Sequence, residues 1–120
     1  MAAPNLVNVT SIYGKTMGAA LGTTLTTTLL TCASNKVLKI NSIIVANVDG
    51  SNAADVSVEF YNGSTAYRLA STVTVPADST LIVLGKDAPI YLEEGHSIRG
   101  GASANSDLEI LICYDILDDA

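Results

Sequence analysis

The chain has 120 residues and a mass of 12.4 kDa, enough for one domain that buries about two-thirds of the surface its unfolded form exposes, with no metal or disulfide needed to fold. Charged residues make up only 15%, mean hydropathy is +0.38 and Trp is absent; a typical soluble domain carries about 25% charge, so the shortage points to an outer face covered by other subunits, ahead of a Thr- and Ser-rich surface that stays soluble without ions. A net charge of −6, a pI of 4.4 and six scattered bases (Lys15, Lys36, Lys39, Arg68, Lys86, Arg99) argue against binding a phosphate backbone, so nucleic acid is excluded as a partner.

The opening MAAPNLVNVTS lacks a basic stretch followed by a long apolar core, and no later run reaches the roughly 18 apolar residues of a membrane helix. The expectation is a protein made in the cytoplasm, with no membrane partner. From there the chain reads as short runs rich in Val, Ile, Thr and Tyr between turn signals, with no helical period. Strands are predicted over 6–13, 24–32, 37–48, 55–61, 65–70, 72–75, 80–84, 90–92, 97–99 and 107–117. Turns are predicted at Asp49-Gly50, Asn62-Gly63, 76–78, 85–89, Glu94-Gly95 and Gly100-Gly101. Many short strands at close spacing predict an all-β domain, an antiparallel two-sheet β-sandwich of jelly-roll or immunoglobulin-like kind, with a small barrel as the other solution. Residues 1–23 read as an N-terminal arm and first strand, and 24–120 as the sandwich, within one folding unit.

Two strands are apolar on both faces. Strict alternation puts Leu38, Ile40, Ile44, Ala46 and Val48 on one side of 37–48, with Val37, Ile43 and Val45 on the other; 107–117 sets Leu108, Ile110, Ile112, Tyr114 and Ile116 against Leu111, Cys113 and Leu117. A sandwich strand is wet on its outer face, so these second faces are expected to be covered, either by the N-terminal segment or by another copy of the protein. The first 35 residues hold one charge, Lys15, and six of the nine residues from Thr23 to Thr31 are threonine. Edge strands normally carry charge against sticky pairing, and this one does not.

Reactive motifs fail one by one. Gly14-Lys15-Thr16 ends like a phosphate-binding loop, but Val9 stands where the loop needs its first glycine. Gly14, Gly18 and Gly22 have the spacing of a membrane helix contact without the helix, and read as a bent loop. Asp49, Ser51, Asn52 and Asp55 suggest a calcium loop, yet Ala54 and Phe60 occupy the positions of its glycine and its carboxylate. His96, the only histidine, sits in a turn without a nucleophile elbow, and Glu93 and Glu94 face opposite ways if extended. No catalytic residue, cofactor or metal is expected. Cys32 and Cys113 read as inert thiols, bridged only if their strands are neighbours. Asn8-Val9-Thr10 and Asn62-Gly63-Ser64 fit a glycosylation pattern without a secretion signal. Asp107, Glu109, Asp115, Asp118 and Asp119 put five of the twelve acids into the last fourteen residues, with no base among them.

The order of elements from Lys36 to Leu117 resembles a small all-β structural protein of tailed bacteriophages. The likeness lies in 36–44 leading into Asn47-Val48-Asp49-Gly50, the alternation from Val56 to Phe60, Pro76-Ala77-Asp78-Ser79-Thr80-Leu81, Leu92-Glu93-Glu94-Gly95-His96-Ser97-Ile98 and Ile112-Cys113-Tyr114-Asp115-Ile116. The chain departs from that pattern with His96 in place of an aspartate and Asp115 in place of a glutamate. The resemblance implies a virion component in many copies, a capsid decoration or cement protein first and a tail, baseplate or fibre piece second. Its partners would be itself, with a trimer as first guess, and the major capsid protein or another virion protein. The residues expected to make contacts are Ala2, Pro4, Asn5, Thr24, Thr26, Thr28, Ile43, Val45, Asp115, Asp118 and Asp119. The rival reading is a carbohydrate- or receptor-binding module using Tyr61, Tyr67 and Tyr91.

Overall fold

The computed structural model describes residues 11–118, in which nine strands and no helix are found. They are β1 (Ser11–Ala20), β2 (Thr28–Thr31), β3 (Lys36–Asn47), β4 (Ala54–Tyr61), β5 (Ala66–Val75), β6 (Thr80–Leu84), β7 (Ile90–Leu92), β8 (Ser97–Ala102) and β9 (Leu108–Asp118). One antiparallel sheet, sheet A, runs β1-β9-β3-β6, with β7 also on β3; the other, sheet B, runs β2-β8-β4-β5. Leu38, Ile40, Ile110 and Ile112 from sheet A meet Val56, Val58 and Ile98 from sheet B in one core. The all-β, two-sheet expectation is therefore met.

The long strand β3 corrects the sequence reading of Ile43 and Val45. Its pairing with β9 passes from Ile40↔Tyr114 to Ser42↔Cys113, leaving Asn41 as an extra residue. One extra residue exchanges the two faces of a strand. Leu38 and Ile40 before the bulge and Ile43, Val45 and Asn47 after it all point inward, so Ile43 and Val45 are 0% exposed and cannot contact a partner. Ile44 and Ala46 take the outer face instead. On β9 no bulge intervenes, and the predicted inward set from Leu108 to Ile116 is buried; of the opposing set, Leu111 is exposed and Leu117 is buried.

The predicted strands 65–70 and 72–75 are one strand, β5. Val56 pairs with Val73 and Val58 with Ala70, so Ser57 faces two residues across a second bulge. Thr72 lies there at φ 52, a conformation a β-branched residue adopts only under constraint. Its N–H donates to Ser57 Oγ at 3.0 Å.

Three further expectations fall. The described first strand is β1, so Gly14 and Gly18 belong to a strand and not to a bent loop; residues 6–10 of the predicted strand lie outside the described residues. Only Thr28–Thr31 of the threonine run is a strand. Before it the chain turns, with Thr27 N–H and Oγ1 both bonding Thr24 O. Gly100-Gly101 is not a turn but lies inside β8. A Cβ on Gly101 would stand 2.8 Å from Thr24 C and 3.0 Å from Gly22 O, so glycine here marks a close backbone approach. Segment 21–27 is tied to both sheets, by Leu21 N to Leu108 O at 2.8 Å on one side, and by Ala102 N to Gly22 O at 2.8 Å and Gly100 N to Thr27 O at 2.9 Å on the other. Gly101→Val is expected to push this segment off β8 at a cost of about 3 kcal/mol, read as a lower urea midpoint; an unchanged midpoint would show that the segment yields freely.

Candidate functional site

The outer face of sheet A is built by register. Gly18 pairs with Leu111, Leu111 with Ile44 and Ile44 with Ile82, giving an apolar row across β1, β9, β3 and β6. Ile82 is 65% and Leu111 48% exposed. The next row is Ala20, Glu109, Ala46 and Thr80. Small side chains at Gly18, Ala20 and Ala46, beside Ile44, Leu111 and Glu109, leave a shallow concavity of about 390 Å³. Further along come Thr16, Cys113 and Ser42, then Gly14, Asp115 and Lys39, then Ile12, Leu117 and Val37. The row Gly18, Leu111, Ile44 and Ile82 on an open sheet is an unpartnered patch, whereas Val37 and Leu117 are buried.

The expected contact residues are scattered relative to this face. Ala2, Pro4, Asn5 and Asp119 lie outside the described residues. Thr24, Thr26 and Thr28 are exposed along the edge of sheet B. Asp115 is on the outer face of sheet A, half-buried, accepting from Asn41 Nδ2 at 3.2 Å. Asp118 pairs with Lys36 at 3.7 Å. The threonines and the acids are therefore not brought together. Ile82 and Ile44 went unnoticed as surface residues, because the signal for Ile44 was masked by the bulge; Leu111 was readable from β9 alone.

On the outer face of sheet B, Glu59 is directly opposite Arg68 on β5 and Arg99 on β8. Its side chain is 3% exposed, with Oε1 accepting from Arg68 Nε at 3.1 Å and Oε2 from Arg99 Nε at 2.6 Å. Arg99 Nη2 also pairs with Oε2. The Arg99 guanidinium lies 3.9 Å over the Tyr61 ring. Both carboxylate oxygens are engaged, which suits a structural tie rather than proton transfer. Tyr61 is thereby removed from the aromatic platform. Tyr67 and Tyr91, by contrast, are both exposed and share an apolar cleft of about 260 Å³ with Phe60, Leu69, Ile90 and Arg68, where the edges of the two sheets part.

The remaining chemistry is local. The Glu93 N–H donates to His96 Nδ1 at 3.3 Å, and the imidazole meets the Phe60 ring edge-on at 5.3 Å, so His96 closes the β7–β8 turn. Cys32 is buried, bonded through Sγ to Lys36 O at 3.1 Å, and burial pushes its thiol above the ordinary range. Cys113 lies on β9 beside Thr16, and both thiols are free. Among the described residues no three His, Cys, Asp or Glu side chains gather to hold a metal ion, and no helix is long and apolar enough to cross a membrane.

The Asp49 loop turns on itself. Asp49 Oδ1 accepts from Ser51 N at 2.8 Å and Asn52 N at 3.3 Å, whereas Asp55 is turned away to Thr74 Oγ1 at 2.7 Å. Those N–H donors hold the Asp49 carboxyl below its usual range, while desolvation and then the charge of Asp49 raise Asp107. The signs oppose. Asp49 contributes stability that is lost as pH falls through its depressed folded value; Asp107 favours folding at low pH and loses that contribution as pH rises through its raised value. Asp107→Asn is expected to raise the melting temperature slightly at neutral pH and not in acid, where Asp107 is already protonated; an equal gain in both buffers would discount the charge pair.

No family model and no curated protein matches the chain.

Proposed function

We propose that the chain is a non-enzymatic structural subunit that works in many copies, held to its neighbours through the outer face of sheet A. The observation that carries this reading is the exposed row Gly18, Leu111, Ile44 and Ile82 beside a concavity in a chain with 15% charge. A weak contact repeated by symmetry gives avidity without one tight interface. The order of turns and strands supports placing the subunit on the virion of a tailed phage. There it would act as a head decoration or cement protein on the major capsid protein, or on another virion protein. The jelly-roll or immunoglobulin-like identity of the sandwich, and the absence of catalysis, cofactor, nucleic acid and membrane partners, belong to the same proposal. Imaging particles with and without this protein tests it: density for the chain at regular surface positions, and heads that burst more readily without it, are expected. A chain that stays monomeric at high concentration and never sediments with particles would end the proposal.

The cleft between Tyr67 and Tyr91 supports a second reading, a tail or fibre module that binds a saccharide ring or receptor against two aromatic side chains. Saturable binding on a glycan array that is lost in Tyr67→Ala and Tyr91→Ala would promote it over the first.

A further inference from the structure

Asn62-Gly63, at the tip of the hairpin between β4 and β5, is the one Asn-Gly step in the sequence. An asparagine side chain closes a ring onto the main chain when the amide nitrogen of the next residue reaches its Cγ, and a Cβ on that next residue crowds the approach. Every other asparagine of the chain precedes a residue that has one. Gly63 sits at φ 96 with open space where a Cβ would stand, and residues 62–65 are all exposed to water.

Hydrogen bonding at the tip separates the reacting groups. The nucleophile is free, because among the described residues the Gly63 N–H meets no acceptor. The leaving group is free as well. Asn62 Nδ2 donates to no described residue, whereas Asn47 gives its Nδ2 to Val75 O and Asn52 O, Asn41 to Asp115, and Asn52 to Asp49. Only the carbonyl is engaged. Asn62 Oδ1 accepts from Ser64 N at 3.0 Å, Thr65 N at 2.8 Å and Ser64 Oγ at 3.2 Å, so the oxygen on which negative charge grows during attack already faces three donors.

We infer that Asn62 is a self-modification site, with water as co-reactant and a new carboxylate at the hairpin tip as product. The Gly63 N–H gives its proton to solvent, its nitrogen bonds to Asn62 Cγ, and the Cγ–Nδ2 bond breaks as Nδ2 leaves with a solvent proton as ammonia. The cyclic imide then takes up water. Water adding at Cγ breaks the bond just formed and gives aspartate; water adding at the main-chain carbonyl of residue 62 breaks the original peptide bond and gives isoaspartate. No oxidant or reductant enters. Aspartate keeps the three donors as charge-assisted bonds and leaves the hairpin in place. Isoaspartate puts an extra carbon into the main chain between the paired Tyr61 and Ala66. Either product makes the net charge of −6 one unit more negative, in a chain otherwise short of charge.

The test is to age the folded full chain in mildly alkaline and mildly acidic buffer, and to follow it by isoelectric focusing, ammonia release and peptide mapping. A species shifted by one negative charge should appear, with one ammonia released per shifted chain. It should form faster in the alkaline buffer, where the attacking nitrogen loses its proton more readily. Mapping should place it at 62–63, with a share of it accepting methyl groups from an isoaspartyl methyltransferase. Asn62→Gln, whose ring would be one atom larger, should give no such species over the same period, and Asn62→Asp should run with the aged band from the start. Thermal melts check that both variants fold. A folded chain that stays unshifted while the same chain in urea shifts would show that the three donors lock the amide against ring closure, and would overturn the inference. A shift that maps to another asparagine, or that persists in Asn62→Gln, would overturn it equally.

Discussion

Arg99→Ala is expected to destabilise the folded chain by about 3 kcal/mol, because it leaves the Glu59 carboxylate buried with half its compensation gone. The side chain of Glu59 is 3% exposed, whereas Arg99 and Arg68 are 19% and 39% exposed, so the cost of desolvation falls on the acid. Arg99 supplies the shorter Nε bond, 2.6 Å against 3.1 Å from Arg68, and covers the Tyr61 ring. Losing it removes a charge-assisted pair and a stacking contact worth about 0.5–1 kcal/mol. Arg68→Ala should cost less, about 1 kcal/mol, since its side chain is already wet and its bond longer. Replacing Glu59 and Arg99 together by apolar residues should recover much of the loss, because the charge then left without its partner is that of Arg68, whose side chain is 39% exposed. Urea denaturation of the singles and the double gives the coupling directly. A deficit below about 0.5 kcal/mol for Arg99→Ala would mean that water reaches Glu59 and the tie is ornamental.

The same three residues show how far alternation carries. Glu59, Arg68 and Arg99 are each outward residues of their own strands, and adjacent strands in register place them in one row. A slip of one residue would turn Glu59 into the core, so the row also specifies the register of sheet B. Strand existence was readable for β3, β4, β6, β7 and β9, because run length and turn residues agree there: Asn62 Oδ1 accepts from Ser64 and Thr65 N–H, and Gly63 and Gly95 sit at φ 96 and 80. What alternation cannot carry is a change of phase. The bulge at Asn41 reversed the two faces of β3 and sent Ile43 and Val45 inside, and the one at Ser57 joined two predicted strands into β5. Glycine misled for a related reason. Gly14 and Gly18 read as part of a bent loop and Gly100-Gly101 as a turn, but each lies in a strand against a neighbouring atom, and that neighbour comes from a distant part of the chain. The exposed apolar row of sheet A was therefore half visible: Leu111 followed from β9, while Ile44 and Ile82 needed the pairing of three strands.

Asn47→Ala is the other large effect, expected at about 3 kcal/mol, and it follows from the Asn41 bulge as well. The phase change turns a polar residue inward at the end of β3, where it is 3% exposed. Its amide is fully used: Nδ2 donates to Val75 O at 2.9 Å and Asn52 O at 3.0 Å, and Oδ1 accepts from Asp49 N at 2.9 Å. Alanine would strand three backbone groups, of which Val75 O is buried, and a buried group left unpaired costs about 1–3 kcal/mol. Asn47→Asp separates hydrogen bonding from volume. The acceptor side is kept, but an ionised oxygen would face two carbonyl oxygens, so this variant should be worse than alanine at neutral pH. It should recover in acid, where a protonated carboxyl can donate one bond, the deficit growing as pH rises through the raised value of the new carboxyl. Melting curves at the two pH values decide it, since a cavity alone would give no pH dependence beyond that of the parent.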